Sequence, residues 1–256
     1  MRIVSLNVNG IRAAARKGFF DWMPRQSADV FCLQEVRAQP EQITDAVYTP
    51  NRYHVYHEPA VRKGYSGVSI MSREEPDELL HGFGSAEFDQ EGRYIEARFG
   101  NLSVVSVYLP SGSSKEERQA AKFRFMAEFA DHLRSLKAAG RECVICGDWN
   151  IVHKEIDIRN WKSNQKNSGC LPEERAWLDK VFGDCGYVDA FRVVNKKPDE
   201  YTWWSNRGRS WDNNVGWRID YQVVTPGLAD VVTKAKVYKK KRFSDHAPLV
   251  IDYEYE

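Results

Sequence analysis

The sequence lacks most of the features that would place a protein at a glance. Its charge has no surplus of either sign, with 37 lysines and arginines against 36 aspartates and glutamates in 256 residues, a net charge of +1. A strongly basic total would have marked a nucleic-acid binder; here any such role rests on local patches. No apolar stretch approaches the roughly 18 residues that a membrane-spanning helix needs. The opening Met1-Arg2-Ile3-Val4-Ser5-Leu6-Asn7 turns polar too soon for a secretory signal. The expectation is a cytoplasmic protein with no membrane partner. Cysteines are few and odd in number, five in all, which argues against a fully paired disulfide framework and fits a reducing compartment. No linker rich in proline, glycine or serine divides the chain, and there is no internal repeat or low-complexity tract. One domain over residues 1–256 is therefore expected.

What is present is a succession of short apolar runs: Ile3 to Val8, Val30 to Leu33, Gly67 to Met71, Tyr94 to Phe99, Leu102 to Tyr108, Cys143 to Cys146, Asp220 to Val224 and Leu249 to Tyr253. Each reads as a strand. Many are joined by connections too short for a helical crossover, which points to a large antiparallel or mixed sheet system. The clearest helix runs from Ser114 to Ala139, opened by a capping box of Ser114 and Glu117 and stopped by Gly140. Its apolar stripe is Phe123, Met126, Phe129, Leu133 and Leu136. A second helix is expected over Glu173 to Phe182. Cys143 and Cys146 form a C-x-x-C, but three residues apart on a strand they face opposite sides and cannot share a metal. They are read as core cysteines.

Several strands end on polar side chains. Cys146-Gly147-Asp148-Trp149-Asn150 puts Asp148 and Asn150 on one side where a strand meets the surface. Asn7 and Asn9 stand alike at the end of the first strand, Glu35 follows Val30 to Gln34, and Ser244-Asp245-His246 precedes the last strand. One such end is commonly a turn former or a helix cap. Four of them, carrying glutamate, aspartate, asparagine and histidine, suit metal-assisted hydrolysis of a phosphate ester, since a hard cation such as Mg²⁺ takes one or two carboxylates and keeps several waters.

Leu33-Gln34-Glu35, Gly147-Asp148-Trp149-Asn150, Trp217-Arg218-Ile219-Asp220-Tyr221 and Ser244-Asp245-His246-Ala247-Pro248, in this order, resemble the motifs of the exonuclease III family of abasic-site endonucleases, within the endonuclease/exonuclease/phosphatase superfamily. The resemblance covers nearly the whole chain. It implies an α/β four-layer sandwich, two packed mixed β-sheets flanked by helices. It also implies Glu35 as main metal ligand with Asn7 and Asp245 beside it, and Mg²⁺ or Mn²⁺ as the ion. Asp148, held by Asn150, would activate or orient water; His246, oriented by Asp220, would bind the scissile phosphate; Tyr108 would contact that phosphate or the leaving oxygen. The same resemblance assigns Trp203, Trp217 and Ile219 to a pocket for a flipped-out baseless sugar, and Asn164 and Asn167 to the phosphates of that nucleotide. Arg93, Arg37 and the run Lys239-Lys240-Lys241-Arg242 are candidates for flanking phosphates. The partner implied is double-stranded DNA with abasic sites or blocked 3′ ends, bound by a monomer.

Four of the eight tryptophans, Trp203, Trp204, Trp211 and Trp217, crowd one stretch, and two of the four are expected in the core. In Trp203-Trp204 one ring is expected to be buried while the other lines a pocket. One departure from the family pattern is Ser111 after Tyr108-Leu109-Pro110, where the family usually carries asparagine or glutamine, which shortens or removes a phosphate contact. Two other tasks fit the same motifs, a 3′-end-trimming phosphatase or exonuclease and a non-catalytic nucleic-acid-binding regulator. Small Ser168 and Gly169 favour the endonuclease over the first, and retention of Glu35, Asp148, Asn150, Asp220, Asp245 and His246 disfavours the second.

Overall fold

The computed structural model describes residues 1–113 and 115–255. Among the described residues fourteen strands lie in chain order: β1 Arg2–Asn7, β2 Val30–Gln34, β3 His54–Glu58, β4 Val68–Ser72, β5 Glu78–His81, β6 Tyr94–Phe99, β7 Leu102–Tyr108, β8 Glu142–Asp148, β9 Val188–Asp189, β10 Trp203–Trp204, β11 Gly216–Trp217, β12 Asp220–Val224, β13 Val232–Val237 and β14 Leu249–Tyr253. They form two six-stranded mixed sheets, β13-β14-β1-β2-β4-β3 and β5-β6-β7-β8-β12-β9, plus the small β10-β11 pair. In each large sheet one central pair is parallel, β1 with β2 and β7 with β8, and the other pairs are antiparallel.

Strand alternation makes the layers. Ile3, Val30 and Cys32 of the first sheet meet Val104, Val144, Cys146 and Val224 of the second in an inter-sheet core. The opposite faces bury Val4, Leu6 and Phe31 under Phe19 and Trp22, and Val105, Val107 and Ile145 under Phe125, Phe129 and Leu133 of helix Glu116–Ala138 and Trp177 of helix Pro172–Phe182. Two sheets with helices outside each give the expected four layers. Cys143 and Cys146 fall in different layers, as strand parity requires.

The inter-sheet core contains a polar seam. Gln34 Nε2 donates to Ser106 Oγ at 3.0 Å, and that hydroxyl donates to the Leu33 carbonyl at 3.0 Å. Gln222 Nε2 donates to the Ile3 carbonyl at 3.1 Å while Tyr253 OH donates to Gln222 Oε1 at 2.8 Å. Every one of these bonds joins one sheet to the other.

Six strands have no counterpart among the eight apolar runs: His54–Glu58, Glu78–His81 and Val232–Val237 lie at sheet edges and carry polar residues, and Val188–Asp189, Trp203–Trp204 and Gly216–Trp217 are two residues long, too short for any periodicity. The long helix begins at Glu116, and the capping serine Ser114 lies outside the described residues. Its stripe also differs from expectation: Phe123 is 36% exposed, whereas Lys122 is buried and paired with Glu174. Gly140 closes the helix at φ 73°. Of the crowded tryptophans only Trp204 is fully buried, not two. Trp211 meets it edge to face, with ring centroids 4.3 Å apart at 61°, and carries the Arg242 guanidinium 5.0 Å above its own ring. Among the described residues, no helix is long and apolar enough to cross a membrane.

Candidate active site

The residues that face between the sheets converge at one end of the seam. On β1 the parity of Ile3 carries Asn7 inward; on β7 Val104 carries Tyr108, on β8 Cys146 carries Asp148, and on β12 Val224 carries Asp220. The register places Tyr108 beside Asp148 and Asp148 beside Asp220. Four strand ends thus deliver polar groups to one patch, while Trp149, of opposite parity, is buried in the outer layer.

Asp148 is the hub. Its Oδ2 accepts Asn7 Nδ2 at 2.9 Å and lies 3.7 Å from His246 Nε2; its Oδ1 accepts the Asn150 N–H at 2.9 Å. Asn150, at φ 53°, donates Nδ2 to the Leu109 carbonyl at 3.0 Å. The carboxylate is 1% exposed, and burial, reinforced by Asp220 and Glu35, outweighs His246 and lifts its pKa to about 7. His246 Nδ1 faces Asp220 Oδ2 at 2.8 Å. Burial opposes the imidazolium, but Asp220 and then Asp148 prevail and raise its pKa to about 10. The cluster is therefore an imidazolium held between two aspartates.

Two side chains that build this cluster have no role assigned from the sequence, Thr202 and the Ser244 of the Ser244-Asp245-His246 motif. Thr202 Oγ1 accepts the N–H groups of Ile219 and Asp220, each at 3.1 Å, and fixes the start of β12. Ser244 Oγ donates to the Asn7 carbonyl at 2.6 Å and accepts the His246 N–H at 2.9 Å, joining the histidine segment to the end of β1. A buried hydroxyl has no periodicity by which to be found.

Glu35 follows β2 in left-handed backbone, φ 50°, and is 8% exposed. Asn7 Nδ2 bridges Glu35 Oε1 at 2.7 Å to Asp148, and the Asn7 amide oxygen accepts the Asn9 N–H at 2.9 Å. Arg37, also left-handed and exposed, folds back to pair with Glu35. Burial first, and Glu35 next, hold the Tyr108 phenol well above its ordinary pKa, so it remains a proton donor. On the other side Asp245 accepts Asn9 Nδ2 at 2.8 Å and Trp203 Nε1 at 3.1 Å; burial notwithstanding, His246 and these bonds keep its pKa below the usual value.

Asp148, Asp220 and His246 lie close enough to offer three ligand atoms to an ion. A protonated imidazole has no lone pair to give, however, and already supplies positive charge there. The Glu35 side, with oxygen donors and a guanidinium as its neighbouring cation, is the better match for a hard cation.

Beside the cluster lies a separate apolar patch of Val152, Ile158, Cys170 and Ile219 with Trp161, Trp203 and Trp217 against it. Trp203 and Trp217 are register partners whose rings meet edge to face, 5.8 Å apart at 87°. Asn164 and Asn167 bond to each other at 2.9 Å in the turn leading to this patch. Ser111 Oγ is engaged with Ser113 Oγ at 2.7 Å. In the basic run Lys239, Lys240 and Lys241 are exposed, and Arg242 bonds Asn206. Arg93 is a correction: it is 2% exposed, with its nitrogens on Glu91 at 2.5 Å, the Tyr108 carbonyl at 3.0 Å and Tyr65 OH at 2.7 Å. Its guanidinium is spent inside the protein, so it braces Tyr108 rather than reaching a phosphate.

Residues 4–246 match the Endonuclease/Exonuclease/phosphatase family. An exodeoxyribonuclease of Bacillus subtilis is 38% identical over 253 residues, covering 97% of this chain and 98% of that one. The DNA repair nuclease APEX1 of Danio rerio is 35% identical, covering 98% and 81%. Among solved structures, an AP endonuclease from Archaeoglobus fulgidus superposes with a TM-score of 0.90 at 27% identity and full coverage of both chains. A 3′-5′ exonuclease from Neisseria meningitidis gives 0.90 at 25%, again with full coverage. With the family pattern spanning nearly the entire sequence and relatives aligned end to end, the chain belongs to the Endonuclease/Exonuclease/phosphatase family, in the branch that holds exodeoxyribonuclease III and the AP endonucleases.

Proposed function

We propose that this protein is a Mg²⁺-dependent DNA repair nuclease that hydrolyses the backbone 5′ to an abasic site and also trims 3′ ends, with Mn²⁺ able to replace Mg²⁺. The observation that carries the reading is the pairing of Asp148, whose pKa lies near 7, with an imidazolium at His246 that Asp220 holds in place. Phosphodiester hydrolysis needs a base for water and fixed positive charge for the phosphoryl oxygens, and these two groups lie 3.7 Å apart.

Asp148 takes the proton of the attacking water, with its carboxylate oriented by Asn150 and Asn7. His246 donates through Nε2 to a non-bridging phosphoryl oxygen. Tyr108, held neutral, donates to the phosphate or the leaving 3′ oxygen. Glu35 would hold the metal, with Asn7 and Asp245 completing the oxygen-rich rim; once bound it supplies Lewis acidity that offsets charge on the phosphate. Trp203, Trp217 and Ile219 receive the baseless sugar and exclude a normal nucleotide by size, while Asn164, Asn167 and Arg37 contact phosphates. Gly169 presents no side chain towards Trp217, and a Cβ there would stand 3.2 Å from the ring, so any larger residue at this position would crowd the tryptophan. That supports the endonuclease task over a purely 3′-trimming one.

The test is a duplex carrying one synthetic abasic site, incubated with Mg²⁺ and separately with chelator. Cleavage 5′ to the site with Mg²⁺ and none with chelator is expected. Intact DNA in both overturns the enzyme reading.

A further inference from the structure

Behind Asn150 lies a buried ion pair that the catalytic reading does not use. Lys122, without exposed surface, donates Nζ to the Asn150 carbonyl at 2.8 Å and to Glu174 Oε1 at 2.6 Å. Glu174 is buried as fully. Its Oε1 also accepts Gln119 Nε2 at 3.0 Å, and its Oε2 accepts the N–H groups of Gly169 at 2.6 Å and Leu171 at 3.0 Å. Burial pushes the Lys122 pKa down against the pull of Glu174. Apolar residues commonly replace such pairs at no loss of stability, so stability is a poor reason for this one.

The partners of the pair suggest another reason. One end grips Asn150, whose N–H holds Asp148 Oδ1 at 2.9 Å. The other grips the turn that follows Asn164 and Asn167, where Gly169 at φ 89° lies so near that a Cβ would stand 2.9 Å from the Asn150 carbonyl oxygen and 3.2 Å from the Trp217 ring. The Val152 N–H donates to the Gly169 carbonyl at 2.7 Å and closes the unit. Base side and pocket side thus share one buried anchor.

We infer that Lys122 and Glu174 are positioning residues with separate tasks: Lys122 sets Asn150 and through it the Asp148 carboxylate, and Glu174 sets the Asn164-to-Gly169 loop against Trp217. The inference rests on the proposed nuclease function. Neither side chain touches the reacting atoms. Lys122 therefore acts on the chemical step and Glu174 on the hold of the substrate.

The full chain and its Lys122→Met, Glu174→Gln and Lys122→Met/Glu174→Met variants are compared by steady-state cleavage of the abasic duplex with Mg²⁺ and by fluorescence anisotropy of the same duplex in chelator. Lys122→Met is expected to lower kcat roughly 10- to 100-fold, the scale of a catalytic group displaced by a fraction of an ångström to an ångström, with Kd kept within about 2-fold. Glu174→Gln is expected to raise Kd and KM about 10-fold with a smaller change in kcat. The double variant removes both buried charges together, so it folds even where a lone unpaired charge prevents folding, and it carries both defects. A pair that only packs would lower Tm and leave kcat and Kd of the folded variants at wild-type values; that result in the double variant overturns the inference. Failure of the wild type to cut strikes instead at the function, and the binding arm still tests the Glu174 end.

Discussion

In the first sheet the parallel pair β1–β2 ends at Asn7 and Gln34, and Glu35 follows; in the second the parallel pair β7–β8 ends at Tyr108 and Asp148. The two pairs hold equivalent places in sheets of the same strand pattern, yet their carboxylates meet different surroundings. Glu35 stands just beyond its strand, beside an exposed arginine. Asp148 is the last residue of its strand, dry, between Asn7 and an imidazolium that Asp220 also claims. A carboxylate facing an exchangeable cation is suited to bind a metal. One raised towards neutrality by burial is suited to move a proton. On the proposed function, placement relative to the strand end decides which task each acid has.

Exchanging or deleting these acids tests the contrast. The largest effect is expected for Asp148→Asn, which removes the base: turnover of the abasic duplex should fall by roughly 10²- to 10⁴-fold, with DNA binding by anisotropy retained. Loss of binding as well would make Asp148 a structural residue. Next is Asp220→Asn, which leaves His246 without the partner that most raises its pKa. A fall in kcat of about 10²-fold is expected, and the alkaline limb of the pH profile should move to lower pH. Glu35→Ala should be smaller and of another kind, raising the Mg²⁺ concentration for half-maximal rate by at least ~10-fold, the scale on which even groups supporting a ligand act, and largely recovering at high Mg²⁺. Equal losses at all Mg²⁺ levels would erase the distinction between the two acids. The pH dependence sharpens it further: kcat/KM should rise as Asp148 ionises, at or below about pH 7 once a cation adjoins it, and fall as His246 loses its proton near pH 10.

Much of this was legible in the sequence because period-2 alternation is a hard geometric rule. It separated Cys143 from Cys146 and Trp203 from Trp204, and it put Asp148 and Asn7 at strand ends. What it does not encode is which end of a charged side chain finds a partner. Arg93 reads as a surface cation and is buried against Glu91 and Tyr108; Lys122 takes the buried place in the helix stripe expected for Phe123. Each is rescued by a partner distant in the chain or by a backbone carbonyl, and such pairings have no local signature. The edge strand His54–Glu58 escaped for a related reason: half-exposed, it has no apolar face to announce it.

The polar seam between the sheets has a consequence for tolerance. Apolar burial is nearly indifferent to a small lateral slide of one sheet over the other, because dispersion has no preferred direction. Gln34 to Ser106 and Gln222 to the Ile3 carbonyl are directional and fail within a few tenths of an ångström. They act as dowel pins that fix the alignment of two plates, each of which carries half of the proposed reaction centre at the same end of the seam, so a Gln34→Leu chain is expected to keep its fold while its two acids drift out of common focus.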